Sequence, residues 1–169
     1  MTSALNGIRP YQSALKCTKR TRLVEFQFKF LHRQISTNDF STKIGIKDNP
    51  DCSFCNKELE KLAHLLWSCS KVTTFWNSLI QQLTLSQIIP QNYKINISTG
   101  FALTPDASKS HNQINFCLSL ARHYIWISKN KKAPPSIQDF LHYLKSTFLL
   151  ELKPGDGPSK NWELLQTLF

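Results

Sequence analysis

The apolar positions of this chain fall into helical stretches separated by polar breaks. From 18 to 35, Leu23, Phe26, Phe30 and Leu31 recur at helical spacing with Arg20, Arg22, Lys29 and Arg33 among them, which predicts an amphipathic helix with one basic flank. The polar run Ser36-Thr37-Asn38 opens a second, short helix that ends at Gly45, a residue suited to a helix C-terminus. Asp48-Asn49-Pro50-Asp51 is a turn that delivers Cys52. Ser70 is placed to cap a helix running to about Leu85, with Val72, Phe75, Trp76, Leu79, Ile80 and Leu83 as its apolar stripe. Residues 86–108 hold two prolines and few periodic positions, and read as a linker or long loop.

Helical signals resume near His111 and continue to about Lys129 through Ile114, Phe116, Leu118, Ala121, Ile125 and Trp126. Pro134 and Pro135 stop that helix. Ser136, with Asp139 three residues on, resembles a capping box for a helix over 137–152. Pro154 to Pro158 break it, and 160–169 is expected to form a last short helix. The fold class is mainly α. Four segments follow: a lead-in at 1–15, a basic helix with a cysteine-rich module at 16–85, the loop at 86–108, and a helical segment at 109–169.

Composition narrows the partner class. With 41% hydrophobic residues and 19 aromatics, the 169-residue chain is too apolar for disorder, and five glycines are few for an all-β fold built on tight turns. The formal charge of +10 favours an anionic partner such as RNA, DNA or an acidic membrane surface. The charge is uneven. Residues 1–33 hold seven Lys and Arg (Arg9, Lys16, Lys19, Arg20, Arg22, Lys29, Arg33) against Glu25 alone, and 111–135 hold Arg122, Lys129, Lys131 and Lys132 with no acid. Either island by itself reads equally as a solvated face. No apolar run approaches the ~20 residues of a membrane span, and no signal-peptide core follows Met1-Thr2-Ser3. Five cysteines, an odd number without a secretion signal, fit a reducing compartment, nuclear or cytoplasmic.

Chemistry concentrates in one place. Cys52-Ser53-Phe54-Cys55, then His64, then Cys69 form C-x2-C-x8-H-x4-C. The close pair can present two thiolates from one tight turn, and His64 and Cys69 can approach the same ion where a helix begins or frays. Three thiolates and an imidazole satisfy one tetrahedral Zn²⁺ and leave no open position, so the site would be structural. The resulting charge of −1 would need compensation, for which Lys57, Lys61 and Lys71 lie close in sequence. Buried cysteines beside a core histidine would be the bland alternative, but the clustering at ligand spacing argues against it. Cys117 reads as core filling and Cys17 as exposed, while His32, His111, His123 and His142 are scattered. Trp67, Phe75, Trp76 and Trp126 could stack on bases, although their helical spacing fits a core. No Ser/His/Asp set, phosphate-binding glycine loop or paired-carboxylate site is visible, so catalysis is not expected.

On Cys52-Ser53-Phe54-Cys55, His64-Leu65-Leu66-Trp67, Cys69 and Phe75-Trp76, the chain resembles the C-terminal zinc-binding region of non-LTR (LINE-type) retrotransposon reverse transcriptases. Phe26-Gln27, His32-Arg33, Thr37-Asn38, Lys43-Ile44-Gly45-Ile46 and Tyr124-Ile125-Trp126 extend the likeness over roughly 15 to 150. The resemblance implies a helical module stapled by a CCHC zinc knuckle-like site on Cys52, Cys55, His64 and Cys69. It also implies a place downstream of a polymerase core, in contact with template RNA or target DNA. No paired-aspartate polymerase motif or endonuclease carboxylate set is present, so the chain resembles a fragment of a larger polyprotein or a degenerate copy with an incidental start. The expected phosphate contacts are Lys16, Lys19, Arg20, Arg22, Lys29 and Arg33, then Lys129, Lys131 and Lys132. The rival reading is a structural domain that docks on the polymerase core. A small hydrolase would need an open metal position.

Overall fold

A computed structural model describes residues 18, 20–91, 95–96, 101–102, 109–151 and 163–168. In chain order the elements are α1 (Thr21–Leu31), α2 (Asn38–Lys43), a π-helical turn (His64–Ser68), α3 (Ser70–Leu85), β1 (Ile95–Asn96), β2 (Phe101–Ala102), α4 (Lys109–Asn130), α5 (Ile137–Glu151) and α6 (Glu163–Gln166). The mainly helical class stands. Within the 86–108 stretch read as a loop, β1 and β2 pair antiparallel, Ile95 opposite Ala102 and Asn96 opposite Phe101. The strand β2 packs on α4.

Two helix starts follow their sequence signals. Thr37 Oγ1 accepts from Phe40 N–H at 3.3 Å and caps α2, and Ser136 Oγ accepts from Asp139 N–H at 3.4 Å at the head of α5. Ser70 does not cap α3. Cys69 holds the N-cap position with an extended backbone, and Ser70 is the first helical residue.

The helix ends share one device. After α1, α2, α3 and α4 the chain turns through a left-handed residue: Arg33 (φ 56°), Gly45 (φ 74°), Gln87 (φ 56°) and Lys132 (φ 54°). Each makes a short bond back into the last turn while the next residue reaches five positions back. Gln34 N–H donates to Lys29 O at 2.7 Å, Ile46 to Ser41 O at 2.9 Å, Ile88 to Leu83 O at 2.9 Å and Ala133 to Ser128 O at 3.1 Å. This is the Schellman closure of a helix end, and only one of the four uses the glycine that the geometry favours.

One hydrophobic cluster runs through the whole arrangement. It joins Leu23, Phe26 and Phe30 of α1 to Val72, Phe75, Trp76 and Leu79 of α3, to Phe116, Leu120 and Ile125 of α4, and to Phe140 and Leu144 of α5. The segments on either side of 86–108 therefore share a core. Residues 113–122 of α4 are buried on every side, which makes α4 the central helix. The Arg122 guanidinium, fully buried, donates to Gln27 Oε1 at 2.7 Å and to Ser119 Oγ at 3.2 Å, and lies over the Phe30 ring at 4.6 Å. The second basic island is thus partly interior.

Candidate metal centre

The site begins with the turn at Cys52–Cys55. Asn56 N–H donates to Cys52 O at 2.9 Å, and Asn56 takes a left-handed φ of 50° that sends the chain back on itself. Cys52 N–H then donates to Glu58 O at 2.8 Å, and Asp51 bridges Leu59, so a tiny hairpin presents both thiols to one side.

His64 and Cys69 come from the π-turn. Residues five apart in an α-helix point about 140° away from each other. An i→i+5 turn instead stacks them one above the other, and the defining bond is Cys69 N–H to His64 O at 3.0 Å. The sequence feature responsible is the four-residue gap between the two ligands. At the junction with α3, the Trp76 indole N–H donates to Leu66 O at 2.7 Å, and Thr73 Oγ1 donates to Trp67 O at 3.0 Å. Trp67 stacks on Trp76 with centroids 4.6 Å apart. Trp76 therefore works as a clamp on the ligand-bearing turn, and these two tryptophans serve the core.

The four donor atoms of Cys52, Cys55, His64 and Cys69 lie within 4.8 Å of one another. Cys52 Sγ is 3.7 Å from Cys69 Sγ, and Cys55 Sγ is 3.4 Å from His64 Nε2. A tetrahedral zinc ion has edges of about 3.8 Å between sulfurs and about 3.5 Å between sulfur and nitrogen. The donors fit that ion in type and number, and these two separations match its edges. With Nε2 turned inward, His64 Nδ1 faces Glu58 Oε2 at 3.2 Å and Ser68 Oγ at 3.4 Å. A carboxylate behind the ring fixes the tautomer that leaves Nε2 free to ligate.

The electrostatics favour a cation. Burial pushes the Cys52 thiol up to about 12, with the neighbouring Cys69 sulfur adding to the rise against the N–H groups of Cys55 and Phe54. For Cys55, burial also acts upward, but the backbone of Lys57 and Glu58 and the side chains of His64 and Cys52 outweigh it and bring the thiol down to about 7. Sulfurs this close cannot all be thiolates unless a divalent ion neutralises them. Cys69 adds the positive end of the α3 dipole beside its sulfur.

A second cluster, for which the sequence carries no local signal, locks the knuckle to the fold. Glu60 is fully buried, and its Oε1 accepts from Asn38 N–H at 2.9 Å and from Lys129 Nζ at 2.8 Å. Its Oε2 accepts from Ser53 N–H at 2.8 Å. Lys129 Nζ also donates to Ser36 O at 2.7 Å. The Asn38 side-chain amide donates to Asp51 O at 2.7 Å and Ser53 Oγ at 3.0 Å. Burial alone would raise the Glu60 pKa, but Lys129 and the Ser53 donors hold it below the ordinary value.

The candidate phosphate contacts separate accordingly. Arg22, Arg33, Lys131 and Lys132 are exposed and Arg20 is half-buried. No carboxylate among the described residues pairs with any of these five. Lys29 is exposed but bonded to Glu25 at 2.6 Å. Lys129, 6% exposed, must be removed from the set, since its charge is spent on Glu60. Lys16, Lys19 and Cys17 lie outside the described residues. Cys117 is fully buried, as core filling requires.

The fold and its four donors define a helical module in which three cysteines and one histidine lie close enough to bind a metal ion. Residues 8–76 match the family model for zinc-binding in reverse transcriptase, a segment that ends on the Trp76 clamp and covers less than half of the chain. That family is an accessory zinc-binding region and not the catalytic core. No curated protein matches the chain, and no solved structure does.

Proposed function

We propose that the chain is a non-catalytic, zinc-stapled nucleic-acid-binding module of a LINE-type retrotransposon reverse transcriptase, contacting template RNA or target DNA. The supporting observation is the closed cluster of three thiols and one imidazole inside the segment that resembles the reverse-transcriptase zinc-binding family. One Zn²⁺ held by Cys52, Cys55, His64 and Cys69 supplies folding energy, and four protein ligands leave no position for an activated water. Arg20, Arg22, Arg33, Lys131 and Lys132 supply positive charge for phosphates. Among the described residues no helix is long and apolar enough to cross a membrane.

The test is a salt titration of affinity for RNA, single-stranded DNA and duplex DNA. Each phosphate neutralised contributes about 0.7 to the log–log slope on single strands and about 0.9 on duplex. A slope of about 2 or more supports the reading, and a slope near zero contradicts it.

A second reading has its own observation. Phe40 (53% exposed) and Ile44 (52%) lie one turn apart along α2 and its end, followed by Ile46 (71%). That apolar edge suits docking on the polymerase core. Under this reading Phe40→Ser abolishes association with the core while nucleic-acid affinity is flat in salt.

A further inference from the structure

Two clefts meet along α1 and α4. The first, about 540 Å³, is lined by Arg20, Arg22, His123, Ile127, Tyr143 and Thr147. The second, about 370 Å³, is lined by Arg22, Phe26, Lys29, Ile35, His123 and Trp126. Arg22 and His123 border both, so the two form one track. Its floor is a row of rings. Tyr143 lies 6.2 Å from His123, His123 stacks on Trp126 at 5.9 Å and 25°, and Trp126 leans on Phe26 at 5.8 Å. His123 Nδ1 and Tyr143 Oη are hydrogen-bonded at 2.9 Å. Arg20 and Arg22 stand over this floor with no carboxylate among the described residues to neutralise them. Among the described residues the only acid lining the track, Glu25, is engaged by Lys29.

Cationic rim and aromatic floor together are the two elements with which proteins hold single strands: guanidinium groups follow the phosphates, and ring faces take the bases. A duplex hides its base faces and can use only the rim. We infer that this track seats a single-stranded nucleic acid, its phosphates on Arg20 and Arg22 and its bases against His123 and Trp126. The inference rests on the nucleic-acid reading above and gives that reading a location. Burial, with Arg20 and Arg22 nearby, holds the His123 pKa down to about 4, so its ring is neutral at neutral pH.

The experiment measures affinity of the zinc-loaded full chain for a short RNA strand, the same DNA strand and its blunt duplex, as a function of salt. The proteins are wild type, Arg20→Gln/Arg22→Gln, Trp126→Leu, and Lys43→Gln as a control away from the track. The arginine pair variant should lose about 1.4 from the single-strand slope, and Trp126→Leu should weaken single strands about tenfold with little change on duplex. Lys43→Gln should match wild type. Should Trp126→Leu fail to fold, the arginine variant decides alone. Unchanged single-strand binding in the arginine variant overturns the track and leaves the module reading intact. Equal losses on duplex and single strand in Trp126→Leu also overturn it, since the rings would then make no distinction between stacked and open bases. Absence of binding by wild type to all three probes overturns both.

Discussion

Glu60 is a buried carboxylate that ties the turn carrying Cys52 and Cys55 to α4 through Ser53 and Lys129. A fully buried carboxylate joined to a buried ammonium is costly to disturb one partner at a time. Lys129→Met should therefore destabilise the zinc-loaded protein by about 3–5 kcal/mol in urea unfolding, and the double variant Glu60→Leu/Lys129→Met should cost less than the sum. Because folding lowers the Glu60 pKa, its contribution is complete above the ordinary carboxylate value of 4.5 and drains away as the pH falls through the lower folded value. The stability gap between wild type and Glu60→Gln should accordingly narrow below pH 4.5, and a gap that widens there would contradict the assignment. In the sequence Lys129 looks like a surface cation because it opens the run Lys129-Asn130-Lys131-Lys132. Its periodicity says otherwise: Leu118, Arg122, Ile125 and Lys129 share one face of α4, and that face is buried.

Among the elements, the helix ends and the π-turn differ in how plainly the sequence announces them. Thr37, Gly45 and Ser136 mark their boundaries through hydroxyl caps and a glycine in a left-handed turn. The equivalent turns at Arg33, Gln87 and Lys132 carry no such mark, since side chains with a Cβ sit where backbone sterics disfavour them. Gln87→Gly should raise stability by about 0.5–1 kcal/mol, seen as a rise of about 1–4 °C in Tm; a fall in Tm would mean the left-handed geometry is not strained. The π-turn is half legible. A five-residue step from His64 to Cys69 cannot align on an α-helix, so the spacing demands some break, but not its form. The structure supplies it as an i→i+5 turn clamped by Trp76, and that clamp explains why an aromatic pair at Phe75-Trp76 accompanies the ligands.

At the scale of the molecule, one core spans both helical halves, and the basic charge is divided between interior and surface. Arg122 and Lys129 organise the central helix, while Arg20, Arg22, Arg33, Lys131 and Lys132 remain outward. Residues 86–108 look like a separator because their turn-rich composition hides two strands of two residues each, too short for any alternation to show. The knuckle joins this core through Glu60, Asn38 and Trp76, so a metal bound at Cys52, Cys55, His64 and Cys69 would stabilise contacts well beyond the four donors. Structural zinc contributes on the order of 10 kcal/mol or more in small sites, enough to exceed the margin of a domain this size. Native mass spectrometry of the purified full chain addresses this directly. One zinc per chain, lost on chelation together with the narrow charge-state distribution of a folded protein, is the predicted result; a metal-free chain that keeps its folded distribution would contradict the account.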